Sequence, residues 1–493
     1  MLSRPLNPIG RGPIIWSVDA EREREFEIDE LFFSTTNEKG IIASGNEVFS
    51  RVAAYKESEM IGKPHSLIRH PDMPRCVFKA LWDTIEQGQT IAAYVKNRAK
   101  TGQPYWVMAT VVPCSGGYLS VRLKPSSKYF ELAKAVYPEL RALELELGGE
   151  REIARKQAMA ASGDRLFELL AGAGFADYTS FMHQALATEL ASRAAHTQPP
   201  REATGPQRRV VDHIRKACLA IAISLDGLFG ADLDGYMQLT ELSRQLSAKS
   251  GFVLELAERL RLFALNALLA SSKLGDDGAV LHTVAGIMRA TSDSMRGVIA
   301  ELSGDLKRAG DLLAEVGFRV SVAKLQSLMA IQFNDEVNRR RRPGPDWAKY
   351  RDPRVDDIAL VAGCLDESLR ALRTALEGLD NHLRRVATNA AHLKHDLRVM
   401  GTLEANGRIE AARTGDALAV VQLFSEIHSQ IAMASAGVEE FAAVTKLGGA
   451  IASRTAIEEL DGAVDRIRRD TARLAAQKPS AQASTAQVLQ AVG

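Results

Sequence analysis

From Leu239 onward the chain repeats apolar residues at alternating spacings of three and four: Leu239, Leu242, Leu246, Val253, Leu256, Leu260, Phe263 and Ala267, with Lys249 the polar exception. A seam of that period is buried only against other helices, so it predicts a coiled-coil arm. A second seam, Leu281, Val284, Met288, Thr291, Met295, Val298 and Leu302, follows the turn-like Gly275-Asp276-Asp277-Gly278, and the two arms are expected to fold back as an antiparallel hairpin. Arg339 to Arg342 and then Pro343-Gly344-Pro345 end it; the four arginines suit a helix C-terminus or a binding patch. The pattern recurs in Leu365, Leu369, Leu372, Leu376, Leu379, Leu383, Val386, Ala390, Leu393, Leu397 and Met400. Its return arm, Val420, Phe424, Ile427, Ile431, Ala434, Val438 and Phe441, follows Gly415-Asp416. Two tandem, non-identical hairpins result, which could pack within one chain as a four-helix bundle. Beyond about Gln477 the residues are small and polar, a composition that predicts disorder.

Up to about Arg122 the texture differs. Strand-like runs at 31–36, 40–44, 91–99, 104–112 and 118–123 alternate with turn residues, and helical segments run through Ala53 and from Pro74 to Glu86. Lys39-Gly40, Thr101-Gly102 and Ser115-Gly116-Gly117 supply glycine where strands reverse. Five strands with helices after the second make a sheet with one face covered, able to hold a ligand between the layers. Ser127 suits an N-cap, and Phe130, Ala133, Val136, Leu140 and Leu143 form the apolar stripe of a helix that could carry a signal outward. Pro199, Pro200, Gly205 and Pro206 interrupt any helix after His196.

Composition narrows the function. The 493 residues exceed one core, and 62 basic against 61 acidic residues offer no support for a nucleic-acid or anionic-membrane surface. Cys76, Cys114, Cys218 and Cys364 are scattered, suggesting neither a disulfide framework nor a metal site, as suits a reducing cytoplasm. Proline and charge stand in the first residues where a signal peptide needs an apolar core, so export is not expected, and no apolar run reaches the length of a membrane span; 218–229 is short and carries Asp226.

The segment Ile61-Gly-Lys-Pro-His-Ser-Leu-Ile-Arg-His-Pro-Asp-Met-Pro-Arg75, with Phe78 and Leu81-Trp82 after it, resembles the PAS domain of bacterial aerotaxis receptors. Phe33-Ser-Thr-Thr36, Asn46, Val95-Lys-Asn-Arg98, Gly102 and Tyr105-Trp106-Val107 extend the likeness over roughly 30–123. It implies an α+β domain with a five-stranded antiparallel sheet and a noncovalent FAD whose redox state reports oxygen or respiration. Trp82 could form an aromatic wall, while Arg69, His70, Asn46 and Asn97 could hydrogen-bond a ring or phosphate. Asp72 belongs to the same candidate set; equally, it could cap the helix starting at Pro74 and pair with Arg69. Where the family usually has tryptophan and glycine before Val-Lys-Asn-Arg, this chain has Thr90-Ile91-Ala92-Ala93-Tyr94, which leaves heme, another small molecule or an empty domain open. Cys76 reads as a buried small side chain, since the cysteine motif of blue-light PAS domains is absent.

In the second half, Leu262-Phe-Ala-Leu-Asn266-Ala267, Gly275, Gly278, Val284-Ala285-Gly286 and Met288-Arg289 are similar to the signalling tip of methyl-accepting chemotaxis proteins. The acidic and basic pair of that family is replaced here by Ala270-Ser271-Ser272-Lys273; the second hairpin keeps it as Glu410 and Arg413 beside Asn406 but lacks the second glycine. Both copies place asparagine nine residues before a glycine. Such polar residues would break the apolar seam, set helix register and meet a partner. The expected organisation is a lead (1–25), a PAS domain (26–124), a helical linker (125–204), two chemoreceptor-like hairpins (205–342 and 343–480) and a tail (481–493).

Together these features predict a cytoplasmic chemoreceptor-like transducer, its partners a chemotaxis coupling protein, a histidine kinase and other receptors or its own copies. The alternative is a PAS-regulated interaction scaffold without kinase coupling. Catalysis is not expected: no Gly-rich phosphate loop or nucleophile–base set stands out, and His382, His392 and His395 read as solvated helix positions.

Overall fold

The computed structural model describes residues 22–148, 151–202, 210–229, 241–242, 244–245, 255, 258–259, 261–273, 275–340, 354–413, 418–451 and 454–476. Several expectations fall outside these residues: the N-terminal lead up to 21, the Gly205-Pro206 break, most of the first seam (Leu239, Leu246, Lys249, Val253, Leu256 and Leu260), the Pro343-Gly344-Pro345 break, the Gly415-Asp416 turn and the tail. The chain divides into two compact units, one drawn from residues up to 222, from 321–367 and from 466 onward, the other from 223–320 and 368–465.

In the first unit β1 (Phe32–Asn37), β2 (Ile42–Gly45), β3 (Ile91–Arg98), β4 (Pro104–Cys114) and β5 (Gly117–Leu123) form one antiparallel sheet in the order β2-β1-β5-β4-β3. Helices α1 (Glu47–Ala53), α2 (Glu57–Met60) and α3 (Arg75–Glu86) follow β2, with a 3₁₀ turn at His65–Ile68 before α3. The two-residue period of the strands sorts side chains between faces. Val95, Asn97, Ala109, Val111, Tyr118, Ser120 and Arg122 line a cavity beneath Phe78, Leu81 and Trp82 of α3.

The opposite face is covered as well, where the sequence suggested one covered face. Helix α4 (Lys128–Leu147) lies back on the sheet: Tyr137 donates its hydroxyl to Tyr94 O at 2.9 Å, and Phe130 meets Trp106 with ring centroids 5.5 Å apart. It is therefore a layer of the domain rather than an outward-leading linker. Helices α5 (Glu152–Gly172) and α6 (Tyr178–His196) continue that layer; Ala92 N–H donates to Met182 Sδ at 3.5 Å. The stripe deviates at its end, because Leu143 is half-buried while Glu144 is buried. Helix α7 (Val210–Phe229) follows.

The C-terminal end of α8 (Ala279–Arg340) also joins this face. Phe33 packs edge-on against Phe333 with centroids 4.8 Å apart, and Leu31 N–H donates to Gln332 Oε1 at 3.0 Å. Arg215 of α7 makes a two-point ion pair with Asp335, at 2.7 and 3.1 Å. One expectation is corrected here: Cys114 at the end of β4 and Cys364 of α9 (Arg354–Arg413) are joined as a disulfide across 250 residues. Spacing along the chain carries no trace of a pair so distant.

The second unit is helical. Glu258 interacts electrostatically with Arg296 and Arg261 with Asp293, so the first arm runs antiparallel to α8. Along α9 and α10 (Leu418–Ile451), Lys394 pairs with Glu439 at 2.8 Å and His428 Nδ1 lies 3.0 Å from Glu404, while Gly407 lies against Phe424. As numbers rise on α9 they fall on α10, which makes the second hairpin antiparallel too. Helix α11 (Arg454–Ala476) extends the return arm, with Asp461 on Arg373 at 2.7 Å. All eleven α9 seam residues are buried. On α8 the buried stripe is Leu281, Ala285, Met288, Ser292, Met295, Ile299 and Leu302, so Val284, Thr291 and Val298 of the expected seam are only half-buried, one residue off register. No helix among the described residues is long and apolar enough to cross a membrane.

Candidate ligand cavity

The motif segment 61–75 forms the cavity's rim because its backbone is tied to the sheet. Gly62 N–H donates to Ile42 O at 2.8 Å, His65 N–H to Gly40 O at 2.9 Å, and Arg69 bridges Asn97. Gly40, at φ +69°, lets the chain reverse over Trp82; a Cβ there would lie 2.9 Å from the indole. Trp82 and Tyr118 meet edge to face at 5.8 Å, forming an aromatic wall of a cavity of about 210 Å³.

Arg69, Trp82 and Asn97 of the sequence-derived set line this cavity. Arg69 stacks 3.8 Å over the Phe78 ring, and burial lowers its pKa to about 10. Asn46 does not line it. Its Oδ1 accepts from Phe33 N–H at 3.1 Å and Phe49 N–H at 3.3 Å and its Nδ2 donates to Leu31 O at 3.1 Å, so its polar atoms cap α1 and brace β1. His70 and Asp72 lie outside as well. Asp72 accepts from Lys96 Nζ at 2.9 Å; burial would raise its carboxyl, but the Lys96 hydrogen bond and His70 hold it below the ordinary value.

Asp72 neither pairs with Arg69 nor caps α3. That end is capped from a distance: Arg75 N–H and Cys76 N–H donate to the Glu144 carboxylate at 2.9 and 3.0 Å, and Ser162 Oγ adds a third bond at 2.9 Å. Glu189 of α6 does the same for α4, accepting from Ser126 N–H, Ser127 N–H and the Tyr94 hydroxyl, the last at 2.7 Å. Cys76 is buried, its thiol pushed up to about 11 by burial.

Two cavity residues of consequence escape sequence reasoning, Arg122 and His65. Arg122 is 1 % exposed, and its Nη2 donates to Ser34 Oγ at 2.8 Å and to His65 Nε2 at 2.6 Å. Burial lowers its pKa to about 10, leaving it charged at neutral pH. Its Nη1 has no hydrogen-bond partner, and neither does Asn97 Nδ2. Buried donors without acceptors are costly, so these two on one cavity wall are able to bind oxygen or nitrogen acceptors. The alternation Tyr118, Ser120, Arg122 against Leu119, Val121, Leu123 reads as a solvent face; the covering helices turn that face inward.

The candidate tip residues are spread over the helical unit. Asn266 and Asn406 are exposed, Gly275 takes φ +59° in a 3₁₀ turn ending at the buried Gly278, and Glu410 lies 3.5 Å from Arg413 as an i, i+3 pair. The asparagines thus face away from the seam they were expected to interrupt. Two of the polar breaks in it, Asp305 and Glu404, are acidic. Asp305, fully buried, accepts from Arg308, His382 and Arg385 at 3.0, 2.9 and 3.0 Å, and Glu404 takes His428. His382 is therefore engaged rather than solvated, while His392 and His395 are exposed.

A five-stranded antiparallel sheet with its helices on one side of a cavity is the arrangement of a PAS domain, and the family model for the PAS fold matches residues 42–118. The aerotaxis receptor of Escherichia coli (strain K12) is 35 % identical over 119 residues, which span 23 % of this chain and 24 % of that receptor. The match thus spans about a quarter of the relative's length.

Proposed function

We propose that the chain is a chemoreceptor-like signal transducer whose PAS cavity takes a planar, acceptor-rich ligand of flavin type and whose helical arms pass its state to a chemotaxis coupling protein and histidine kinase. The observation that carries this reading is the pair of unpartnered buried donors, Asn97 Nδ2 and Arg122 Nη1, on one aromatic-walled cavity. At about 210 Å³ the cavity is smaller than the roughly 300–1,000 Å³ of sites enclosing drug-sized ligands. It suits a fused ring with any nucleotide tail outside. Bound there, a flavin would supply reversible electron transfer. Asn97 and Arg122 would hold its carbonyl oxygens, and Trp82 and Tyr118 would flank the ring. Heme is the weaker alternative, because His65, whose Nε2 accepts from Arg122, is the cavity's histidine and His70 lies outside.

Transmission runs through β1. Ser34 reaches Arg122 on the cavity side, while its neighbour Phe33 packs on Phe333 of α8. A ligand that pulls Arg122 acts on the strand seated against α8. The two hairpins then act as an intramolecular bundle, a role supported by the bonds from Asp305 of α8 to His382 and Arg385 of α9.

The test is the visible absorption spectrum of the purified full chain, with Arg122→Met and Asn97→Ala beside it. A flavin spectrum that bleaches on reduction, with less chromophore retained in both variants, is expected. A colourless chain that takes up no added FMN or FAD overturns the ligand assignment. A scaffold without kinase coupling is the second reading, favoured by the incomplete tips. Retention of coupling protein and kinase on the immobilised chain, lost in Glu410→Ala or Arg413→Ala, supports the transducer; no retention supports the scaffold.

A further inference from the structure

We infer that Cys114 and Cys364 form a reversible thiol–disulfide latch between the PAS sheet and helix α9, a second redox input separate from the cavity. Their Cα atoms lie 5.8 Å apart, within the span a disulfide bridges without backbone movement. The pair joins two secondary-structure elements 250 residues apart in the chain. Cys114 ends β4 and pairs across the hairpin with Gly117 of β5, three residues beyond Val111 and four before Tyr118, both on the cavity wall. Cys364 is 2 % exposed in the eleventh position of α9, the helix that also carries Asn406, Glu410 and Arg413.

The other two cysteines cannot substitute. Cys76 and Cys218 are free and buried, with thiols pushed up by burial to about 11 and about 12, and neither has the half-buried hairpin-end partner that Cys364 has in Cys114. Cys114 is half-buried at a hairpin end and is the more exposed residue of the pair, so it is assigned the first contact with a small reagent. In a reducing compartment such a bond is transient, and its closure reports the local thiol poise.

The chemistry balances with a small-molecule disulfide such as oxidised glutathione. The Cys114 thiolate attacks one sulfur of the reagent, releasing one reagent thiolate and leaving a mixed disulfide. The Cys364 sulfur, losing its proton, then attacks the Cys114 sulfur and expels the second. The protein gives up two electrons and two protons, and the reagent leaves as two thiols. A dithiol reductant reverses it. Closed, the latch fixes the β4–β5 hairpin to α9; open, it frees the cavity wall from that helix.

The experiment uses the full chain. It is equilibrated in a series of glutathione redox buffers, its free thiols are blocked with N-ethylmaleimide after denaturation, and its mass and peptides are measured. Two blocked thiols and a Cys114–Cys364 linked peptide are expected at the oxidising end and four blocked thiols at the reducing end, interconverting without unfolding. Cys364→Ser should abolish the linked peptide and leave Cys114 as a glutathione adduct at the oxidising end, whereas Cys76→Ser should shift the counts to one and three. Amide exchange in 104–123 and 354–367 should be about tenfold slower in the oxidised chain. Four free thiols in every buffer, with circular dichroism of the folded chain, overturn the inference. So does a bond that opens only when the chain unfolds, which would make it a structural crosslink. Neither result depends on whether the cavity binds a flavin.

Discussion

Arg122 donates a hydrogen bond to Nε2 of His65 at 2.6 Å, so the imidazole is an acceptor there, with its proton on the other nitrogen. Burial, reinforced by the guanidinium charge, lowers the His65 pKa to about 3. The folded value lies below that of a free histidine, so between about 3 and 6.5 the unfolded chain holds a proton that the folded chain does not. Stability is therefore full above pH 6.5 and declines as pH falls toward 3, by up to about 1.4 kcal/mol per pH unit. His65→Gln, which retains an acceptor, should flatten the pH dependence of the urea midpoint read by tryptophan fluorescence. His70, lowered to about 4 by burial and Lys96, retains a similar slope in that variant. An unchanged profile in His65→Gln would count against the acceptor role.

Removing the carboxylate at 144 strips the amino end of α3 of its acceptors. Glu144→Ala leaves Arg75 N–H and Cys76 N–H without an acceptor and unpairs Arg141, while Ser162 Oγ keeps Met159 O, and roughly 2–4 kcal/mol of destabilisation is expected. Glu144→Gln, which keeps one acceptor oxygen, should lose about half as much. Urea titration followed by near-ultraviolet circular dichroism separates the two.

Gly40 and Gly88 both take positive φ, +69° and +74°, but only Gly40 has the indole of Trp82 where a Cβ would go. Alanine at either position should cost about 1–2 kcal/mol from the left-handed backbone. Gly40→Ala should in addition displace Trp82, change its emission and weaken binding of any chromophore. Gly88→Ala should leave both unaltered.

Asp305 sits in the helical seam with Arg308, His382 and Arg385 on it. Burial would raise its carboxyl, but those three hydrogen bonds outweigh it and hold the group below the ordinary value. Asp305→Ala removes the acceptor shared by three partly exposed groups and should destabilise the helical unit by roughly 1–2 kcal/mol. Asp305→Leu fills the seam instead and should be neutral or stabilising, with a looser choice of register. Thermal unfolding by circular dichroism distinguishes these outcomes, and a larger loss in Asp305→Leu than in Asp305→Ala would rule out this role for the carboxylate.

How far the sequence discloses this molecule depends on how local each signal is. The α9 seam is legible because large aliphatic residues occupy nearly every position; the α8 seam drifts by one residue because Ala285 and Ser292 carry less hydrophobic signal than Val284 and Thr291 beside them. The PAS strands are legible from alternation, and Arg69, Trp82 and Asn97 from the motif that holds them. Arg122 is hidden because alternation tells which residues share a face, not what covers it. Asn46 is drawn into the candidate site by its company in the motif, although its hydrogen bonds are all to backbone. Glu144, Glu189 and the Cys114–Cys364 bond are hidden for another reason: each partner lies tens to hundreds of residues away, beyond any spacing rule.

The acidic caps have a practical meaning for anyone handling this protein. With α3 finished by Glu144, Tyr94 and α4 served by Glu189, and β1 resting on Phe333, the sensory fold borrows parts from segments well past the stretch that aligns with other PAS domains. A fragment cut at the edge of the alignment would lose all of these, and a chimera that exchanged only 42–118 would have to rebuild them. Modularity in this chain ends some distance beyond the boundary that homology draws.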